Sequence, residues 1–159
     1  MKIYLAGPFF KPEQLATIER LEGMLSLLPL EVYSPRKDGV LMIMSREEKK
    51  KNAKKIFDLN CCRIEEADVV LAVIDDRDVG TMWELGYATY RKREYLLPKI
   101  VTYTEKNYGV NVMIQECVDS HVRGIDQARE MFTRLTATPN VIDYRTICSD
   151  YRNFNENVT

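Results

Sequence analysis

Four carboxylates fall within ten positions of the segment Asp75-Asp76-Arg77-Asp78-Val79-Gly80-Thr81-Met82-Trp83-Glu84. Glu84 has the most chemical promise. It falls in the first turn or so of a helix, where the positive end of the helix favours an ionised carboxylate. Its neighbours Trp83, Leu85 and Gly86 are apolar or small. A carboxylate in such a partly dry setting is suited to attack an electrophilic carbon. The plain alternative is a helix cap, because helix starts are enriched in acids. Asp78 alone likewise reads as a loop or cap residue.

Other residue types narrow the chemistry. His121 is the only histidine, so no multi-histidine metal site is available and catalysis must lean on carboxylates. Cys61, Cys62, Cys117 and Cys148 show no CxxC spacing. The adjacent pair lies in a helical pattern and points to different faces, against a disulfide framework or zinc site. Buried free thiols in a reducing cytoplasm are the expectation, with no metal and no cofactor.

These residues must be held by strands and helices that alternate along the chain. Lys2 to Ala6 is a short strand stopping at Gly7-Pro8. From Lys11 to Leu28 the residues Leu15, Ile18, Leu21, Met24, Leu25 and Leu28 recur at helical spacing, with Pro12 in the first turn, where proline is tolerated. Leu30 to Ser34 reads as a second strand, followed by a loop from Arg36 to Met44 turning at Asp38-Gly39. Ser45-Arg46-Glu47-Glu48 has the form of a capping box and opens a long helix to about Ala67. Val69 to Ile74 is six consecutive apolar residues, as expected of a central parallel strand covered on both faces. A helix from Gly80 to Lys92, a strand from Lys99 to Tyr103, and a loop with a short helix from Glu105 to Glu116 follow. A fifth strand near Cys117 to Val122, a helix from Gly124 to Ala137 and a polar, aromatic tail complete the chain.

Such alternation predicts a single-domain α/β protein, spanning residues 1 to 159, with a doubly wound parallel sheet of about five strands. Ligands of such sheets bind at the carboxyl ends of the strands, where the strand order switches. Three loops are therefore singled out: Gly7 to Phe10, Ser34 to Met44, and Asp75 to Met82. The chain of 159 residues has a net charge of −1, which predicts neither nucleic-acid polymers nor membranes as partners. Its longest apolar stretches, about six residues, fall far short of the roughly 20 needed to span a bilayer. The amino terminus lacks the apolar core of a signal peptide, so a cytoplasmic location is expected.

Four separated pieces of the chain resemble the nucleoside 2-deoxyribosyltransferase family, in order and in spacing. Ile3-Tyr4-Leu5-Ala6-Gly7-Pro8 is similar to the family's opening strand and loop, whose tyrosine orients the nucleophile; Tyr4 matches it. Asp58-Leu59-Asn60 matches the helical aspartate that contacts the base. Asp78-Val79-Gly80 followed by Glu84-Leu85-Gly86-Tyr87-Ala88 matches the signature, with Glu84 at the nucleophile and Asp78 at the ligand-binding aspartate. Asn111-Val112-Met113 resembles the segment that a neighbouring subunit inserts to hold the sugar.

The resemblance implies a flavodoxin-like fold, a homo-oligomer with shared sites, and deoxyribonucleosides and free nucleobases as ligands. Catalytic roles would fall to Glu84, Tyr4, Asp58 and Asp78. Substrate binding would involve Gly7, Phe10, Asp58, Asp78, Gly80, Asn111 and Met113. The implied reaction is a double displacement at the anomeric carbon through a glycosyl ester on Glu84, restoring the original configuration. Either Asp58 or Asp78 would protonate the leaving base. The loop Ser34-Pro35-Arg36-Lys37-Asp38 departs from the family's pattern. The tail ends Asn157-Val158-Thr159 rather than in an aromatic, leaving Tyr151 and Phe154 as its nearest substitutes. Two other functions compete. A nucleoside 5′-monophosphate N-glycosidase would use Ser34, Arg36 and Lys37 for phosphate. A non-catalytic module resembling receiver domains would use the Asp75-Asp76 pair, although receivers carry their acidic pair after the first strand.

Overall fold

A computed structural model describes residues 1–37, 45–106 and 110–137. The strands are β1 (Lys2–Ala6), β2 (Glu31–Tyr33), β3 (Val69–Val73), β4 (Lys99–Thr104) and β5 (Ser120–Arg123). The helices are α1 (Pro12–Ser26), α2 (Arg46–Glu66), α3 (Val79–Tyr95), α4 (Val112–Cys117) and α5 (Gly124–Ala137), with a 3-10 turn at Asp75–Arg77. All strand pairings are parallel and the order is β2-β1-β3-β4-β5. The order reverses between β1 and β3, the flavodoxin-like switch point, with the Gly7 and Asp75 loops at its carboxyl edge. No helix of the described residues is long and apolar enough to cross a membrane.

Strand alternation divides the core into two faces. Ile3 and Leu5 of β1, with Val69, Leu71 and Val73 of β3, pack against Ile18, Leu21 and Leu25 of α1 and against Met131, Phe132 and Leu135 of α5. Tyr4, Ala6, Val70 and Ala72 face the other way, towards Ile64 of α2 and Leu85 and Ala88 of α3. Ala6 and Ala72 are register partners. Two small side chains there keep the sheet surface low and let α3 lie close to it.

Local chemistry fixes the element ends. Ser45 Oγ accepts from the Glu48 amide at 3.2 Å while Glu48 Oε2 accepts from the Ser45 amide at 2.8 Å, the predicted capping box. Gln14 performs a related service for α1, accepting from the amides of Phe10 and Lys11.

Three boundaries differ from the sequence expectation. The short helix begins at Val112, because Asn111 caps it, and runs on through Cys117. The fifth strand therefore starts at Ser120 rather than near Cys117. Helix α3 starts at Val79 and reaches Tyr95, longer at both ends than expected. The cysteines also depart from expectation: Cys62 is exposed, and Cys61 and Cys117 are only partly buried. The Asp38-Gly39 turn, Cys148 and the tail with Tyr151 and Phe154 lie outside the described residues.

Gly7 earns its place by close approach. A Cβ there would lie 2.5 Å from Ile18 Cδ1 and 3.1 and 3.2 Å from Val73 Cβ and Cγ2. Ile18 is locked in the core and Val73 Cβ is fixed to a central strand, so neither can yield freely. Gly7→Ala should therefore lower stability in urea unfolding by about 1–3 kcal/mol, a typical overpacking cost, with an unchanged m value. A neutral or stabilising result would mean that α1 is not held against β1 as described.

Candidate active site

Tyr4 projects from the middle of β1 and is fully buried. Its hydroxyl donates to Glu84 Oε1 at 2.6 Å, joining residues 80 positions apart. Glu84 is partly buried and lies one turn inside α3, whose first turn carries no acid. This corrects the sequence reading, because the field of a helix end falls off within its first turn. Burial has the larger effect and disfavours the charged form. The Tyr4 hydrogen bond pulls the other way, the Asp78 charge adds to the rise, and the Glu84 carboxyl is pushed up from 4.5 to about 7. Near neutral pH it is therefore divided between its two forms. Burial and the nearby Glu84 charge push the Tyr4 phenol far above its ordinary value, so it stays a donor.

Asp78 is the N-cap of α3. Its Oδ2 accepts from the Thr81 amide at 2.8 Å and from the Thr81 hydroxyl at 3.0 Å. The capping alternative thus holds for Asp78, while its charge still reaches Glu84. Gly80 makes room for this arrangement, since a Cβ would sit 3.1 Å from Asp78 Oδ2. The preceding backbone is strained: Asp76 and Arg77 have φ of 64° and 52°, a conformation rare for side chains other than Asn and Asp. Gln14 Nε2 at 3.1 Å and the Lys106 ammonium hold Asp76. Buried Asp75 accepts from the Thr104 hydroxyl and from the Glu105 amide at 2.8 Å. This pair ties the loop to β4.

Asp58 lies on α2, exposed and paired with Lys54 at 2.5 Å one helical turn away. One turn further on, burial pushes the Cys61 thiol up, and the charges of Glu65, Asp58 and Glu84 add to that. Asp58 and Glu84 therefore border the same thiol from two helices. Tyr87 of α3 donates to Glu65 of α2, closing the seam between them. Trp83 stacks on Tyr87 at 5.4 Å and meets Phe57 at 5.1 Å along its outer side.

The structure brings Tyr4, Glu84 and Asp78 together, with Asp58 at the rim. Gly7 is spent on packing against α1. Phe10 is 73% exposed beside Phe9. Asn111 caps α4 by accepting from the Met113 amide at 2.9 Å, and Met113 is 76% exposed, not a core methionine. No hydrogen bond or ring contact joins Phe10, Asn111 or Met113 to the Glu84 group. Sequence reasoning missed Tyr33, which stacks on Tyr4 with centroids 5.4 Å apart. Its place opposite Tyr4 in register exists only once the sheet has formed, so no signal in the sequence could have found it.

The phosphate candidates are otherwise engaged. Arg36 Nη2 lies 2.5 Å from buried Glu22 Oε2 and Nη1 lies 3.4 Å from Glu19, while Lys37 Nζ is 3.7 Å from Glu22. His121 is on the β5 edge of the sheet, its Nδ1 2.9 Å from the Thr102 hydroxyl. Burial, aided by Arg123, holds its imidazole down at about 4. A cavity of about 310 Å³ occupies the α1 side of the carboxyl edge, lined by Gln14, Arg20, Asp76, Glu105 and Lys106 among others. Its charges pair with one another, Arg20 with Glu105 and Lys106 with Asp76.

The sheet is of the flavodoxin-like α/β class and holds a tyrosine-bound carboxylate near its switch point. The profile of the nucleoside 2-deoxyribosyltransferase family matches residues 3–138, and the chain belongs to that family and is an enzyme of that kind. Among solved structures it is similar to the 2-deoxyribosyltransferase of the psychrotolerant bacterium Bacillus psychrosaccharolyticus. Identity there is 27%, coverage 81% of this chain and 90% of that one, and the TM-score 0.66. A CMP N-glycosidase of Clostridium botulinum shares the fold, at 15% identity, 85% and 99% coverage and a TM-score of 0.54. So does a conserved protein of Enterococcus faecalis V583, at 15% identity, 94% and 98% coverage and a TM-score of 0.50. No curated protein sequence matches.

The raised Glu84 carboxyl has a consequence for stability. A carboxyl whose folded value exceeds its unfolded one contributes stability that is fully present below about pH 4.5 and lost as pH rises through about 7. Glu84→Gln should therefore be more stable than the parent at pH 8 by about 2–3 kcal/mol, with the advantage fading towards pH 4. Urea unfolding at the two pH values measures this. Equal stabilities at pH 8 would show that Glu84 is not charged at a cost.

Proposed function

We propose that this protein transfers a 2-deoxyribosyl group between nucleobases, with Glu84 as the covalent nucleophile. The observation that carries the reading is the 2.6 Å bond from Tyr4 to one oxygen of the partly buried Glu84 carboxylate. Tyr4 engages Oε1 and fixes the plane of the carboxylate, leaving Oε2 to attack. Glu84 in its ionised form displaces the base from C1′, forming a C1′–Oε ester as the C1′–N bond breaks and the base takes a proton from Asp58 or Asp78, which recovers one from the incoming base in the second displacement. A second base then attacks C1′, breaks the ester and restores both the carboxylate and the original configuration.

A group poised at about 7 suits this cycle, being available as an anion yet a tolerable leaving group. Asp78, whose charge Glu84 feels, and Asp58, across the seam, are the two carboxyls within reach of the departing base. Asn111 and Met113, exposed at the start of α4, are assigned to a neighbouring subunit's sugar site, which makes the active form an oligomer. The engagement of Arg36 and Lys37 with Glu19 and Glu22 favours a nucleoside over its 5′-monophosphate.

Incubation with deoxycytidine and free adenine should yield deoxyadenosine. A 2-fluoro-deoxyarabinosyl nucleoside should leave a sugar adduct on the Glu84 peptide in mass spectrometry. Glu84→Ala should reduce exchange by at least about a thousandfold, as loss of a covalent nucleophile does. An adduct elsewhere, or release of base from the monophosphate without exchange, would overturn the reading. Mixing inactive Glu84→Ala with inactive Asn111→Ala subunits should restore part of the activity, because some mixed sites regain both residues. Failure of reassembled mixtures to recover any activity would count against sharing.

A further inference from the structure

Tyr4 has a weakness as a positioning group. Its Cβ is fixed by β1, but rotation about its side-chain bonds would swing the hydroxyl by several ångströms, so packing must hold the ring. On the β3 side its register partner is the small Val70. On the β2 side it is Tyr33, whose ring stacks on that of Tyr4 at an interplanar angle of 24°. Strand β2 is a three-residue edge strand and provides little restraint of its own. Tyr33 is instead gripped from α2: its hydroxyl donates to Asn60 Oδ1 at 3.1 Å, and the Arg63 guanidinium lies 5.4 Å from its ring centroid. A continuous path thus runs from Asn60 through Tyr33 and Tyr4 to Glu84, crossing α2, β2, β1 and α3.

We propose that Tyr33 and Asn60 are positioning residues for the reaction, clamping the Tyr4 ring so that its hydroxyl meets Glu84 Oε1. The proposal rests on the reading of Glu84 as nucleophile but concerns residues that reach Glu84 only through Tyr4. Misplacement of a reacting group by about 1 Å can cost on the order of a hundredfold in rate. An unclamped Tyr4 would weaken its donation and so disfavour the Glu84 anion. The other groups facing Glu84 are Asp78 at the start of α3 and Cys61 on α2, with Asp58 and Glu65 beside that thiol. All of them are retained when Tyr33 or Asn60 is replaced, so a change in Glu84 titration reports on Tyr4.

The test compares Tyr33→Leu, Tyr33→Phe and Asn60→Ala with the parent in steady-state base exchange. It also follows Glu84 in the free enzyme by carbon NMR of labelled glutamate carboxyls. Tyr33→Leu should lose about tenfold to hundredfold in kcat with little change in KM, and its Glu84 should titrate above the parent value. Tyr33→Phe keeps the stack but loses the bond to Asn60, as Asn60→Ala does, so both should fall between Tyr33→Leu and the parent. Should Tyr33→Leu not fold, a lower kcat and a raised Glu84 titration in Asn60→Ala carry the same conclusion. An unmoved Glu84 titration in these variants overturns the proposal, as does a Tyr33→Phe variant as impaired as Tyr33→Leu. Absence of a sugar adduct on Glu84 in the parent would instead overturn the nucleophile assignment. The NMR titration needs no substrate and decides the role of Tyr33 either way.

Discussion

A single hydrogen bond, from the Tyr4 hydroxyl to Glu84 Oε1, ties the candidate active site of this protein to its fold. Its donor belongs to β1 and its acceptor to the helix that follows β3, so the bond forms only once β1 and β3 have paired and α3 has docked. Neither partner is a good choice for stability alone. A fully buried phenol needs an acceptor, and a carboxylate withdrawn from water is disfavoured in its charged form. Each reduces the other's difficulty, because the phenol is satisfied and the anion is partly recovered. What remains uncompensated is the rise of Glu84 to about 7, and under the proposed mechanism that residue of strain would serve the reaction.

Around this bond most of the neighbouring carboxylates have structural partners of their own. Asp75 and Asp76, the most conspicuous acids of the loop, are consumed in fastening it to Thr104, Glu105, Gln14 and Lys106. Asp78 does two things, capping α3 and adding to the field on Glu84. Glu22 is buried but satisfied by Arg36, on the face of the sheet away from Glu84. The same spatial logic removes the receiver-like reading, since an acidic pair already bound to a lysine, a glutamine and a threonine has little left to offer a cation or phosphoryl group.

How much of this was legible in the sequence depends on the range of the interaction. Local signals were readable: the Ser45–Glu48 box, the unbroken Val69 to Val73 strand and the helical stripe of α1 each depend on residues a few positions apart. The parallel, doubly wound order followed from their alternation. By contrast, the Tyr4–Glu84 pairing emerged only through family resemblance, because no periodicity links residues on different elements. Glu84 was read within the first turn or so of α3 but stands in its second, because the helix is capped by Asp78 and opens at Val79, one residue earlier than expected. Tyr33 and Asn60 left no local trace at all: a tyrosine closing a short strand and an asparagine in a charged helix look ordinary until the sheet sets them together.

The two faces of the sheet differ in what their contacts can tolerate. Against α1 and α5 the core is aliphatic and aromatic, with Gly7 approached so closely that a methyl group does not fit. Such packing depends on shape alone and has no alternative protonation state. Against α2 and α3 the core ends in Tyr4, Tyr33 and Glu84, whose mutual fit depends on hydrogen bonds and charge. The aliphatic face fixes where β1 and β3 stand, so the polar face can hold a half-ionised carboxylate without the sheet shifting to relieve it. The rigidity around Glu84 is in this sense supplied from the opposite side of the sheet, by side chains that do not touch the carboxylate.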